Sequence, residues 1–274
     1  MKYIFENFKN IYEFEKTLKA RPVKEIFQKE IASADTKDFD FYQTKDFDEA
    51  ETLLKDGWNP QIDYIKKELN KFAVGVNRSY NKQIKSIAGF APCVPNAIRG
   101  VPKSMISTKK VEKKQRTVHL VINNCTRGST SGEALMKSGL LFMKLAMLLE
   151  KNNIRTKIDV VPKMSKTDTG IFGCSVTIKD YKQPFNISKI AYPLAHVSFF
   201  RRHGFRWWET IDAPMNENAL GYGKSIMFLD KSEKQKYLKY ASLTDNILYV
   251  DYQDALDAGN DLEKLIKNKQ IKIK

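Results

Sequence analysis

Between residues 116 and 161 the chain changes character twice, and that leaves few folds open to it. Arg116 leads into Thr117-Val118-His119-Leu120-Val121-Ile122, a β-branched and apolar run suited to a buried strand. Asn123 to Gly132 is a small polar loop. From about Glu133 to Lys151, Leu135, Met136, Leu140, Met143, Met147 and Leu148 recur at helical spacing, and Ile154 to Val161 is strand-like again. Strand, loop, helix and strand at this spacing predict a βαβ crossover whose two strands are parallel and adjacent.

The alternation continues downstream. Gly170 to Lys179 is expected as a third strand, Ile187 to His203 as a helix and Phe205 to Ile211 as a strand. A short helix over 231–240, a strand over Asn246 to Asp251 and a last helix over Ala255 to Ile266 complete the pattern. The fold class is therefore α/β, a mostly parallel sheet flanked by helices.

Upstream, residues 1–73 read as a helical N-terminal lobe. Helical segments over 7–34 break at Arg21-Pro22, and Asp46 with Glu49 forms a capping pattern for a helix that Gly57 stops. Another helix is expected from about Gln61 to Phe72. Residues 74–115 are punctuated by Gly75, Gly89, Pro92, Pro95, Gly100 and Pro102, so an irregular packed connection and a basic linker are expected there. Residues 116–274 form the α/β core domain.

Charge divides along the same line. Residues 1–73 hold 13 Lys+Arg against 15 Asp+Glu, leaving 34 against 17 for the remainder. A body this basic favours anionic partners. Lysines number 38 and arginines 9, so the excess is mostly point charge, with few of the planar forks that grip phosphate. Three arginines fall together, at Arg201, Arg202 and Arg206, interleaved with Phe199, Phe200, Phe205, Trp207 and Trp208. That mixture could clamp phosphate and stack bases, or it could be a helix end packed into a core. With Lys109, Lys110, Lys113 and Lys114 these arginines are the candidate nucleic-acid-binding residues.

Three cysteines (Cys93, Cys125, Cys174) are too few and too scattered for a disulfide framework or a zinc cage, and read as reduced thiols. No apolar run approaches the length of a membrane span, and the charged first residues lack a secretory pattern. A cytoplasmic protein that needs no membrane is expected.

In an open α/β sheet, ligands sit beyond the carboxyl ends of the strands, where the Asn123–Gly132 loop lies. That loop lacks the Gly-Lys-Ser/Thr ending of a phosphate-binding loop and the GxGxxG fingerprint of a dinucleotide site. Its small hydroxyl residues, followed by a helix of about 20 residues and a strand, resemble the opening of a von Willebrand factor A-type domain, an alternative to a Rossmann-like arrangement. The resemblance covers roughly residues 116–251. It implies a loop where an Asp-x-Ser-x-Ser signature holds a divalent metal. Here Asn123 or Asn124 stands in place of the aspartate, and Thr126, Ser129 and Ser131 are out of register, so a metal-free version is expected. A second resemblance, to uncharacterised bacteriophage proteins, rests on Asp46–Trp58, Gly89–Met105 and His196–Glu209. It implies a phage origin, acting in the host cytoplasm or the virion.

The residues thus favour a binding or assembly protein over an enzyme. Asn123, Asn124, Thr126, Ser129 and Ser131 are the expected partner-binding loop, a protein the expected partner and nucleic acid the alternative. No catalytic residue and no cofactor are assigned. A metal-dependent hydrolase, the third reading, would have to draw on Asp159, Asp168, Asp180, Glu209 and Asp212.

Overall fold

The computed structural model describes residues 2–24, 33, 37–58, 63, 67, 81–110, 116–167, 170–212, 224–225 and 247–272. In chain order its elements are strand β1 (Lys2–Phe8) and helices α1 (Ile11–Leu18), α2 (Phe39–Tyr42) and α3 (Phe47–Asp56). Strand β2 (Asn81–Ser86), strand β3 (Ala91–Pro92), helix α4 (Val94–Ile98) and strand β4 (Met105–Lys110) come next. The core follows with β5 (Arg116–Asn123), α5 (Gly132–Lys151), β6 (Ile154–Lys166), β7 (Gly170–Lys179) and α6 (Ile187–Ala195). A π-helical turn (Phe199–His203) leads into α7 (Gly204–Glu209), β8 (Lys224–Ser225), β9 (Ile247–Asp251), α8 (Tyr252–Asp257) and α9 (Leu262–Asn268).

The protein is α/β. Its main sheet has the order β1-β7-β6-β5-β9, with β8 also pairing β6. Strands β5 and β6 are parallel and adjacent, as the crossover requires, and β9 joins β5 in parallel on its other side. Strand β7 returns antiparallel to β6, and β1 closes that side by running parallel to β7 from Lys2↔Gly170 to Phe8↔Val176. The N-terminal helices are present, but a strand of the main sheet precedes them.

Helix α5 carries the core. Leu140, Leu141, Phe142, Met143, Leu145, Ala146 and Leu149 are buried with Leu120 and Ile122 of β5, Ile158 and Val160 of β6, and Phe172, Cys174 and Val176 of β7. Fully burying the Leu, Ile, Val, Phe and Met side chains among these stabilises the fold by about 1.5–3 kcal/mol each. Gly139 lets α6 come close: a Cβ there would lie 2.4 Å from the Leu194 carbonyl oxygen. On the opposite sheet face Val121, Val161, Met164 and Ile171 form a smaller cluster.

Helix α3 starts and stops as its residues dictate. Asp46 accepts from the Glu49 amide at 2.9 Å, the Glu49 carboxylate accepts from the Lys45 amide at 2.6 Å, and Gly57 ends the helix at φ +91°.

Several expectations need correction. Phe205 to Ile211 is not a strand: Gly204–Glu209 is helix α7, and the helix expected over Ile187 to His203 ends at Ala195 before the π-helical turn. Trp207 and Trp208 are both buried, a pairing that alternation would have split between two faces. The last helix is two, because Gly259 and Asn260 take left-handed φ values of +60° and +58°. Residues expected as irregular connection and linker contain a three-stranded antiparallel sheet, order β2-β4-β3. The helices expected over Gln61 to Phe72 and 231–240 lie outside the described residues, apart from Asp63 and Lys67.

Candidate binding site at the strand ends

Past β5 the chain stays buried for two residues before it surfaces. Asn123 donates to the Tyr249 hydroxyl at 3.0 Å and accepts from the Cys125 amide at 3.1 Å. Asn124 is wholly enclosed. Its amide nitrogen donates to the Leu135 carbonyl at 3.2 Å and the Leu194 carbonyl at 3.0 Å, while its oxygen accepts from Ser138 at 2.7 Å. An aspartate could not make the two donations, which gives a physical reason for asparagine there. Thr126 is half-buried, and Ser129 and Ser131 are exposed. Ser131 is the N-cap of α5, accepting from the Ala134 amide at 3.2 Å. Of the five residues expected to bind a partner, the structure therefore brings three to the surface and buries two beneath them.

Arg201 fixes the loop from below. Its guanidinium donates to the carbonyls of Gly128 at 3.0 Å and Thr130 at 2.5 Å, and to that of Phe41 at 2.7 Å, while lying 4.3 Å from the Phe41 ring centroid. Arg202 donates to Thr44 and to the Ser33 carbonyl, and Arg206 to the carbonyls of Leu18 and Ala20 and to Glu209. The three arginines are thus brought together but turned inward. Each holds an N-terminal segment against the body, and Arg206 satisfies the open carbonyl end of α1.

Beside the loop is a cavity of about 30 Å³, room for a water molecule or two, lined by Cys125, Thr126, Pro162, Lys163, Phe200 and Phe205 among others. Lys163 is buried on β6, its ammonium 4.6 Å from the Phe205 centroid and 5.4 Å from that of Trp208. Burial drives its pKa down to about 8. Burial likewise pushes the Cys125 thiol up to about 12, so it stays protonated and donates towards the Pro162 and Val161 carbonyls at 3.1 and 3.3 Å. Sequence reasoning missed Lys163, although a lone lysine in the strand Asp159-Val160-Val161-Pro162-Lys163-Met164 was the available sign.

The carboxylates are dispersed. Asp159 accepts from Thr177 at 2.7 Å, with His119 at 2.6 Å and Lys157 at 3.3 Å; burial raises its pKa, but these partners outweigh it and hold it low. Glu209 is buried, accepting from Arg206 and the Ser33 amide. Asp180 accepts from the Lys182 amide, Asp212 is exposed, and Asp168 lies outside the described residues. Among the described residues no group of three or more His, Cys, Asp or Glu side chains is placed to hold a metal ion. Nor is any described helix long and apolar enough to cross a membrane. Lys109 and Lys110 lie on β4, while Lys113 and Lys114 are outside the described residues.

No curated protein and no solved structure matches the chain. A family model described as a domain of unknown function, DUF7192, matches residues 2–272, nearly the whole length. The chain belongs to the DUF7192 family.

Proposed function

We propose that this protein is a phage-type, non-enzymatic binding or assembly protein with a von Willebrand A-like body, and that it meets a protein partner through the strand-end loop from Thr126 to Ser131. One observation carries the reading: a buried arginine, Arg201, holds the Gly128 and Thr130 carbonyls from beneath, while the residues Ser129 and Ser131 stay exposed. A surface loop fixed in this way loses little conformational freedom on association, which favours affinity. The helix of 20 residues that follows, and the parallel strand after it, support the likeness of the body.

A photo-crosslinker installed at Ser129 tests the proposal in extract of the cell that makes the protein. One dominant adduct is expected, lost on Arg201→Ala and absent when the crosslinker sits at Lys151, at the far end of α5. No adduct, or the same adducts from both positions, overturns it.

Nucleic-acid binding is the second reading, supported by the basic excess beyond residue 73. With Arg201, Arg202 and Arg206 engaged inside the protein, lysines would have to carry it. Binding that way weakens steeply with salt through counterion release, so salt-insensitive or undetectable binding removes it.

A further inference from the structure

Residues 81–110 form a unit that the strand-end loop does not explain. Strands β2 and β4 pair from Asn81↔Lys110 to Ser86↔Met105, and β3 adds two residues to the other side of β4. Backbone and polar contacts hold the turns: the Phe90 amide donates to Ile106 at 2.9 Å, that of Cys93 to Ser104 at 2.6 Å, and Asn96 to the Lys103 carbonyl at 3.3 Å. Gly89 sits so close to β4 that a Cβ would lie 2.1 Å from the Ile106 oxygen. Yet no residue from 83 to 108 is buried. Units this short seldom stand without a core, a metal, a disulfide or a cover.

The side chains that should make a core point outward instead. Ile87 is 76% exposed, Phe90 66%, Val94 57% and Ile98 81%, with Val101 also exposed. Val94 and Ile98 share one face of α4, four residues apart. The same span contains Lys82, Lys85, Arg99, Lys103, Lys109 and Lys110 and no acidic residue at all. Apolar surface at this density marks a contact site, and its charge sets the sign of the partner.

We infer that residues 81–110 dock an acidic, apolar segment of a partner protein. Nucleic acid fits less well, because base stacking needs flat rings or guanidinium planes and this span has only Phe90 and Arg99 to offer. A bilayer also fits less well. Among the described residues β2 pairs only with β4, so its outer edge carries backbone donors and acceptors that hydrocarbon would strand and an added polypeptide strand would satisfy.

The test uses the full chain and a fluorescein-labelled peptide of alternating glutamate and leucine, read by anisotropy. Binding is expected, with about tenfold weakening by Phe90→Asp, by Ile98→Asp and by Lys85→Glu. Amides between 83 and 108 become slower to exchange with deuterium when the peptide is present. These side chains are exposed, so the variants are expected to keep the parent melting temperature. Arg201→Ala leaves the peptide affinity unchanged, which separates this surface from the strand-end loop. Equal binding by all variants, or by a peptide with lysine in place of glutamate, overturns the inference. So does tighter binding of a single-stranded oligonucleotide, or of phosphatidylglycerol vesicles, through the same residues.

Discussion

Arg201 reaches the Gly128 carbonyl at 3.0 Å across 73 positions of sequence, and that bond ties the middle of the π-helical turn to the strand-end loop. Replacing Arg201 by alanine strands three carbonyls that it now satisfies. A loss of about 2–3 kcal/mol is expected, read from the urea midpoint, together with faster amide exchange over 127–131. Lysine at this position keeps the charge but lacks the planar fork, so it should recover less than half of the loss.

Asn124→Asp restores the aspartate that the metal-binding signature would have. It also turns a carboxylate oxygen towards the Leu135 and Leu194 carbonyls, where the amide now donates. Destabilisation by about 3 kcal/mol is expected, and millimolar magnesium should not reverse it. A melting temperature that rises with magnesium in this variant alone would contradict that expectation.

Two buried histidines make stability sensitive to mild acid. Ser198 donates its amide to His196 Nδ1 at 3.2 Å, which requires that nitrogen to be unprotonated, and His203 Nε2 donates to the Ala50 carbonyl at 3.2 Å. Among the described residues, His203 Nδ1 is buried without a hydrogen-bond partner. Burial lowers both pKa values to about 4, so below the ordinary 6.5 the unfolded chain takes up protons that the folded one refuses. Stability is therefore full above pH 6.5 and falls towards pH 4, by about 1.4 kcal/mol per pH unit for each histidine. His203→Gln, which keeps a donor for Ala50, should flatten the slope by roughly half. Asp159 and Glu150, held low against burial by their partners, lose their contribution only at lower pH.

Lys163 works in the opposite range. Its pKa of about 8 lies below the ordinary 10.5, so the folded state gains stability as pH rises through that interval. Lys163→Met should raise stability at neutral pH by about 1 kcal/mol, since relief of the buried charge exceeds the lost contact with Phe205 and Trp208. It should also abolish the alkaline gain, as melting curves at pH values of about 7 and 9.5 would show.

The segment from β5 to β6 was readable because two β-branched apolar runs flank a stretch with apolar residues at helical spacing, and a small polar loop separates the first run from the helix. Phe199 to Glu209 was not, since aromatic residues suit a strand as readily as a helix, and the closing contact, Trp207 to Glu6 at 2.7 Å, lies in another part of the chain. Strand β1 was hidden for the same reason: Lys2 to Phe8 mixes charge with aromatics and gains its meaning only beside β7. For the candidate site, the position of the loop followed from strand order, but the burial of Asn124 depends on Leu194 and that of Lys163 on Phe205. No local pattern encodes either. Around 81–110, glycines and prolines spoke for irregularity, while the ladder between β2 and β4 comes from backbone pairing that composition does not register.

The parallel pairing of β1 with β7 also sets an order on biosynthesis. Lys2 to Phe8 leaves the ribosome long before its hydrogen-bonding mate, which begins at Gly170. Until then an amphipathic ribbon must wait uncommitted, open to mispairing with neighbouring nascent chains. Closure over so long a loop is slow compared with folding of the β5–β6 crossover, so β1 is expected to lock last, as a latch on a sheet already built.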